Sequence, residues 1–255
     1  MARVHPSAVV DPAAKLADDV VVGPYAVIGE GVELSPGVVV GPHTLITGRS
    51  FLGPGTRVHA FCALGGDPQL RDGGAGTTLV IGRGNVLREY VSVHTGSLPP
   101  GTRIGDGNLL LHGSHVGHDC QVGSGCEIGS HALLAGHVCI GDHAVLGAEV
   151  AVQQFGRVGE LAYVAATTKL RVDVPPFARA AGLRPRFAGV NRVGLRRRGF
   201  AEETIEALGR SFHLLFRSRL RRSQALERVR GECGERPEVQ RVCHFLAEAR
   251  RGVTC

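Results

Sequence analysis

Aliphatic residues recur every six positions through most of this chain, and that period constrains the fold more than any other feature. From Val4 the series runs Val10, Leu16, Val22, Ile28, Leu34, Val40, Ile46, Leu52, Val58 and Leu64. It resumes at Ile81, Leu87 and Val93, and again from Ile104 through Leu110, Val116, Val122, Ile128 and Leu134 to Leu170. All 26 positions of the series hold Ile, Leu or Val, and Gly follows 13 of them. An α-helix repeats every 3.6 residues and an ordinary strand every two, so neither explains a period of six. A short repeat sustained over this length is the signature of a parallel β-helix. Each hexad then supplies one short strand with its aliphatic turned inward, followed by a bend. Three hexads make one triangular coil of 18 residues. About nine coils stacked at roughly 4.8 Å give a solenoid roughly 40 Å long.

Composition agrees with a narrow interior. The 255 residues include 37 Gly and no Trp, and aromatics make up 5% against 43% hydrophobic residues overall. Two stretches break the count, at 66–80 and at 95–103. Both are rich in Gly, Pro and polar residues, and read as loops bulging from a coil, where function often resides. After Leu170, Pro175-Pro176 stops the repeat and an irregular basic stretch follows to about Arg198. Ile205, Leu208, Phe212 and Leu215 then fall at helical spacing, with Glu202 and Glu203 in the first turn and arginines at the far end, as the helix dipole favours. Leu226 with Val229, and Val239 with Val242 and Leu246, suggest two more helices. The expected organisation is an all-β parallel β-helix over 1–191 and a small helical domain over 192–255.

The formal charge is +6, which suits an acidic partner without choosing among nucleic acid, an anionic membrane surface and an acidic carrier protein. Seven cysteines without CxxC pairs, no signal peptide and no apolar run of membrane-spanning length lead to an expected cytoplasmic location. Cys62, Cys120 and Cys126 each occupy the fifth position of a hexad, where a small buried side chain fits.

The 18-residue coil also sorts the histidines. His118, Gly136 and Gln154 fall in one column, His137 lies beside it, and His115 is expected at the turn three residues earlier. A neutral imidazole there can take a proton from a hydroxyl attacking a thioester. The Gly136 amide can donate to the developing oxyanion. Asp119 can fix the imidazole tautomer, either within its own subunit or in a neighbour, since adjacent strand residues point to opposite faces. Two other classes compete on spacing alone. One is a metal-dependent carbonic anhydrase-like β-helix with zinc on three of His112, His115, His118 and His137. The other is a non-catalytic scaffold with surface histidines. His112 sits a further hexad away and drops out of the acyl-transfer proposal.

Several motifs carry a family resemblance over nearly the whole length: His115-Val-Gly-His118-Asp-Cys-Gln-Val-Gly, Leu134-Ala-Gly-His137-Val, Val152-Gln-Gln-Phe-Gly-Arg-Val-Gly159, Asp173-Val-Pro-Pro-Phe177, and Gly189-Val-Asn191 through Phe200. The chain resembles the UDP-N-acetylglucosamine O-acyltransferases that open lipid A biosynthesis. The resemblance implies a left-handed parallel β-helix that forms a homotrimer with sites between subunits. It implies transfer of a (R)-3-hydroxyacyl chain from acyl carrier protein to the sugar 3-hydroxyl of UDP-N-acetylglucosamine, without cofactor, metal or nucleic acid. His118 would be the base, Gly136 the oxyanion donor and Asp119 the orienting group. His115, His137, Gln154, Asn191 and Arg197 would contact donor or nucleotide sugar, and Arg71 would stand where the family's sugar-loop lysine is usual. Ala166 falls where the family sets acyl-chain length, and its small size implies a medium or long chain. The basic runs 192–198 and 217–222 would suit the acidic carrier. The chain departs from the family in the first loop, where Gln69-Leu70-Arg71-Asp72 lacks the Asp after Gln. It also has Gln153 where His is common and Val193 where Glu is common. These departures leave open a related acceptor such as the 3-amino analogue of the sugar.

Overall fold

The computed structural model describes residues 1–74, 76–218 and 220–254, with the backbone alone at 222. Each hexad folds as the period requires. Two residues form a strand, the second points inward, and the next four turn the corner. Among the described residues, strands stack into sheets of eleven, nine and eight members. They form the three faces of a nine-coil left-handed parallel β-helix. The first sheet starts with Arg3–Val4, the second with Val9–Val10 and the third with Lys15–Leu16. Pairing is in register at 18 residues, as in Val9↔Val27 and His115↔Leu133.

The interior is a column of stacked aliphatics. Leu87, Leu110, Val116, Ile128, Leu134 and Leu146 are fully buried, and each such side chain contributes about 1.5–3 kcal/mol through removal from water. Cys62, Cys120 and Cys126 occupy the small buried position beside this column. Each thiol points at a carbonyl of the following coil, that of Arg88, Ala135 or Gly141, at 3.1–3.2 Å. Burial pushes these thiols up to about 11, 12 and 11, so they are structural groups. The first coil is less enclosed. Val4 is exposed, and Val10 and Leu16 are only partly buried.

Both interruptions leave the solenoid at one corner. Residues 67–77 join Ala63–Gly66 of the second sheet to Thr78–Ile81 of the third, and residues 95–101 join Ser92–His94 to Thr102–Ile104. Register shows their size. Arg57 pairs with Val86, and Val86 with Leu109, so the two coils carry 11 and 5 extra residues over the standard 18. The stack above and below is undisturbed.

The C-terminal region differs from expectation in two respects. The stretch after Pro175-Pro176 is not irregular. Ala178–Ala181 still pairs in parallel with the first sheet, Tyr163 opposite Arg179, and then forms an antiparallel hairpin with Arg186–Val190. Inward Val174, Phe177, Ala178 and Ala180 preserve the core beyond the hexads. A short helix, α1 (Arg192–Arg197), also lies within the stretch read as irregular, and its six residues give no periodic signal. The expected helices follow as α2 (Glu202–Phe216), α3 (Arg222–Cys233) and α4 (Pro237–Glu248). They are packed onto the solenoid. Phe212 of α2 stacks on Phe187 of the hairpin at 4.8 Å, Phe216 tilts against the same ring at 5.1 Å, and Arg157 lies over Phe245 of α4 at 4.2 Å.

Candidate active site

The corner that emits both loops also carries His118, one coil further along. The coil stacking brings its neighbours into place. Val116 pairs with Leu134 and Leu134 with Val152, which sets His118, Gly136 and Gln154 in one column. The His137 amide donates to the His118 carbonyl at 2.9 Å.

His118 is 5% exposed and its Nδ1 lies 2.7 Å from Asp119 Oδ2. An ionised carboxylate only accepts, so Nδ1 carries the hydrogen, and in the neutral ring Nε2 is the nitrogen with the lone pair. Asp119 reaches its own neighbour because it is not a strand residue. Its φ of 60° places it in the left-handed turn, where strand alternation does not apply. The orientation is therefore made within one subunit. His115, in contrast, is a strand residue and not at the turn.

The second loop holds the carboxylate. Ser97 donates through Oγ at 2.6 Å and through its amide at 2.9 Å, and the Leu98 amide donates at 3.0 Å. Thr102 Oγ1 accepts from the Asp119 amide at 2.8 Å. Burial would raise the Asp119 pKa, but the bonds from Ser97, His118 and Leu98 outweigh it and bring the group from 3.8 to about 2. Ser97 and Thr102 are the residues that sequence reasoning missed. The period puts the 95–103 loop at the same corner one coil before Asp119, but does not show which of its residues reach the carboxylate.

A depressed carboxylate stabilises the fold above its unfolded pKa, and this contribution is lost as pH falls through the folded value. Asp119 thus supports the fold above about pH 4 and loses that role towards pH 2. Ser97→Ala removes one charge-assisted bond. We expect it to lower stability at neutral pH by about 1–3 kcal/mol and to move the acid-unfolding midpoint upward. Denaturant unfolding at several pH values measures both, and an unchanged midpoint would show that Ser97 does not hold Asp119.

A cleft of about 700 Å³ opens beside this pair. His118, Gly136, His115, Gln154 and Arg71 all line it. The imidazole lies against Gly136, where a Cβ would crowd Nε2 and stand 2.6 Å from Cε1. Among the described residues, the Gly136 amide donates to no protein acceptor. His115 Nδ1 shares a hydrogen bond with Ser92 Oγ at 2.9 Å. Burial and then neighbouring His94 lower the His115 pKa, favouring its neutral form. His94 in turn bonds the Asp67 carbonyl at 2.7 Å and ties down the first loop. His137 stands behind the pair, with Nε2 3.6 Å from Asp119 Oδ2 and its ring stacked on Phe155 at 4.7 Å.

Asp119 and His137 stand behind the lining, and three further expected site residues are not part of this cleft within one chain. Asn191 caps α1, accepting from the Gly194 amide and donating to the Leu161 carbonyl. Arg197 is exposed on α1, and Ala166 is exposed at the corner between the first and second sheets. The basic run 217–222 joins α2 to α3, and within it residue 219 and the side chain of 222 lie outside the described residues.

The three-histidine metal set is not assembled. His112 is on a different corner, packed edge-on against His131 and Tyr90. Among the described residues, the candidate ligand triple is His118, Asp119 and His137. Two ligands of a tetrahedral zinc stand roughly 3.3 Å apart at bond lengths of about 2.0–2.1 Å. The 2.7 Å between His118 Nδ1 and Asp119 Oδ2 is that of a hydrogen bond.

A left-handed β-helix with an imidazole–carboxylate pair facing an intercoil cleft defines the hexapeptide-repeat acyltransferase class. Residues 101–136 match the family model of bacterial transferase hexapeptides, and residues 173–254 match domain 2 of UDP-N-acetylglucosamine O-acyltransferase. The chain is 48% identical to the acyl-[acyl-carrier-protein]–UDP-N-acetylglucosamine O-acyltransferase of Myxococcus xanthus over 100% of both chains. It is 41% identical to that of Halorhodospira halophila over 99% of both. The solved acyltransferase of Acinetobacter baumannii superposes with a TM-score of 0.94 at 32% identity, covering 99% of each chain. That of Bacteroides fragilis gives 0.95 at 31%, covering 98% of this chain and 99% of the other. The chain belongs to the acyl-[acyl-carrier-protein]–UDP-N-acetylglucosamine O-acyltransferase family.

Proposed function

We propose that this enzyme transfers a (R)-3-hydroxyacyl group from acyl carrier protein to the 3-hydroxyl of UDP-N-acetylglucosamine, the first step of lipid A biosynthesis. The observation that carries the reading is the 2.7 Å His118–Asp119 bond, which leaves Nε2 as a free base beside Gly136 in the cleft. The sugar hydroxyl attacks the thioester carbonyl carbon while Nε2 takes its proton. The carbonyl oxygen becomes an oxyanion that accepts from the Gly136 amide. The new C–O bond stays as the C–S bond breaks, and the imidazolium returns its proton to the leaving thiolate. Asp119, ionised at neutral pH, stabilises the transient imidazolium.

His115, Gln154 and Arg71 line the cleft, and their role in this reading is to hold substrate along it. The outward face of the second sheet suits the assembly of three copies. Val9, Val27, Leu45 and Leu133 are all exposed along it, and Leu133 also lines the cleft. A neighbouring copy on this apolar stripe would bury it and could bring Asn191, Arg197 and Ala166 to the same site. Among the described residues no helix is long and apolar enough to cross a membrane, and a cytoplasmic location matches a carrier-protein donor and a sugar-nucleotide acceptor.

The test crosses 3-hydroxyacyl carrier proteins of several chain lengths with UDP-N-acetylglucosamine and its 3-amino analogue. Turnover with the 3-hydroxy sugar is expected. Turnover only with the amino sugar would reassign the acceptor, and none with any pair would overturn the proposal.

A further inference from the structure

We propose that Lys169 and Arg171 form a phosphate clamp for the prosthetic arm of the carrier protein, at the end of the cleft away from His118. This rests on the acyl-transfer reading and assigns a donor subsite to it. Lys169 and Arg171 come from the last coil of the second sheet and line the same cleft as His118. Lys169 stands three strands along the outward column His115–Leu133–Ala151–Lys169. Arg171 follows two residues later at the corner. Both are exposed, and Lys169 Nζ makes one long 3.4 Å contact, to the Glu149 carbonyl. With Arg71 they give the cleft three cations, and among the described residues no carboxylate lines it. Such a field favours an anion, and phosphate suits an Arg–Lys pair.

Distance selects which phosphate. Three coil steps separate Val116 from Leu170, which is roughly 14 Å at the strand spacing. In a nucleotide sugar, about five bonds join the 3-hydroxyl oxygen to the nearer phosphorus. That is roughly 6 Å, so with the hydroxyl at His118 the diphosphate stays near the base. In a phosphopantetheine thioester, about 13 bonds join sulfur to phosphorus, roughly 16 Å when extended. With the thioester at His118 and Gly136, the phosphate reaches Lys169 and Arg171. The floor between is Leu133, Ala135 and Ala151, small or apolar groups over which a slender arm can lie.

The test compares (R)-3-hydroxyacyl phosphopantetheine with (R)-3-hydroxyacyl pantetheine, which lacks the phosphate, as donors alongside the acyl carrier protein. The native enzyme should prefer the phosphorylated arm by roughly 10- to 100-fold in kcat/KM, the range for one or two charge-assisted contacts. The double variant Lys169→Gln/Arg171→Gln should lose this preference and keep its KM for UDP-N-acetylglucosamine. The single variants, each losing part of the preference, guard against a folding failure in the double. A preference retained in all variants, or a rise in sugar-nucleotide KM in its place, would overturn the clamp. Failure of the native enzyme to transfer from any donor would instead overturn the acyl-transfer reading, which native carrier-protein turnover checks separately.

Discussion

Replacing His118 with alanine is expected to reduce acyl transfer by about 10²–10⁴-fold, the usual contribution of a positioned base. The side chain is buried, and its Nε2 faces the cleft while Nδ1 is committed to Asp119. Of the two imidazoles lining the cleft, His118 is the one oriented by a carboxylate. His115 is tied to Ser92 through Nδ1, and His137 sits behind the pair against Phe155. The inward column that forms the core does not include His118, so the fold should persist. Single-turnover assays with far-ultraviolet circular dichroism separate lost chemistry from lost structure. Full turnover in a folded His118→Ala protein would mean that the base is elsewhere.

Gly136→Ala is expected to be comparably damaging for a steric reason. A Cβ there would meet the His118 ring at Nε2, with Cε1 at 2.6 Å and Cδ2 at 3.0 Å. The imidazole is held by Asp119 and cannot swing aside without breaking that bond. One methyl group would therefore cover the proton-accepting nitrogen and obstruct approach to the Gly136 amide. Loss of an oxyanion donor alone typically costs about 10²–10³-fold. The fall should be in kcat, with sugar-nucleotide binding by calorimetry preserved. A variant with near-native kcat would remove Gly136 from the reaction centre.

The hexad period made the solenoid legible because it forces an 18-residue coil, and residues 18 apart must stack. That arithmetic places His118 over Gly136 without a structure. What it could not give was local dihedral geometry. Asp119 reads as a strand neighbour pointing away from His118, but a positive φ at the corner turns its carboxylate onto the ring. Nor could it give the Ser97 contacts, because an inserted loop has no period. The terminal hairpin at Ala178–Val190 was hidden for a related reason. Pro175-Pro176 shortens the coil, with Val164 pairing Ala180 at a spacing of 16, and the six-residue count fails although inward packing continues.

The two ends of the stack are unlike, and this bears on how the molecule comes apart. Each coil leans only on its neighbours, as in other linear repeat arrays. The C-terminal end is closed by the hairpin and helices, whereas Val4, Val10 and Leu16 leave the first coil thinly covered. Thermal opening therefore has one cheap starting point and runs inward from it. His115 belongs to the sixth of nine strands in the second sheet, counted from that loose end, and His118 to the corner that follows it. Several coils can be shed and regained before the opening reaches the pair, so the chemistry is insulated by position along the stack as well as by its own bonds.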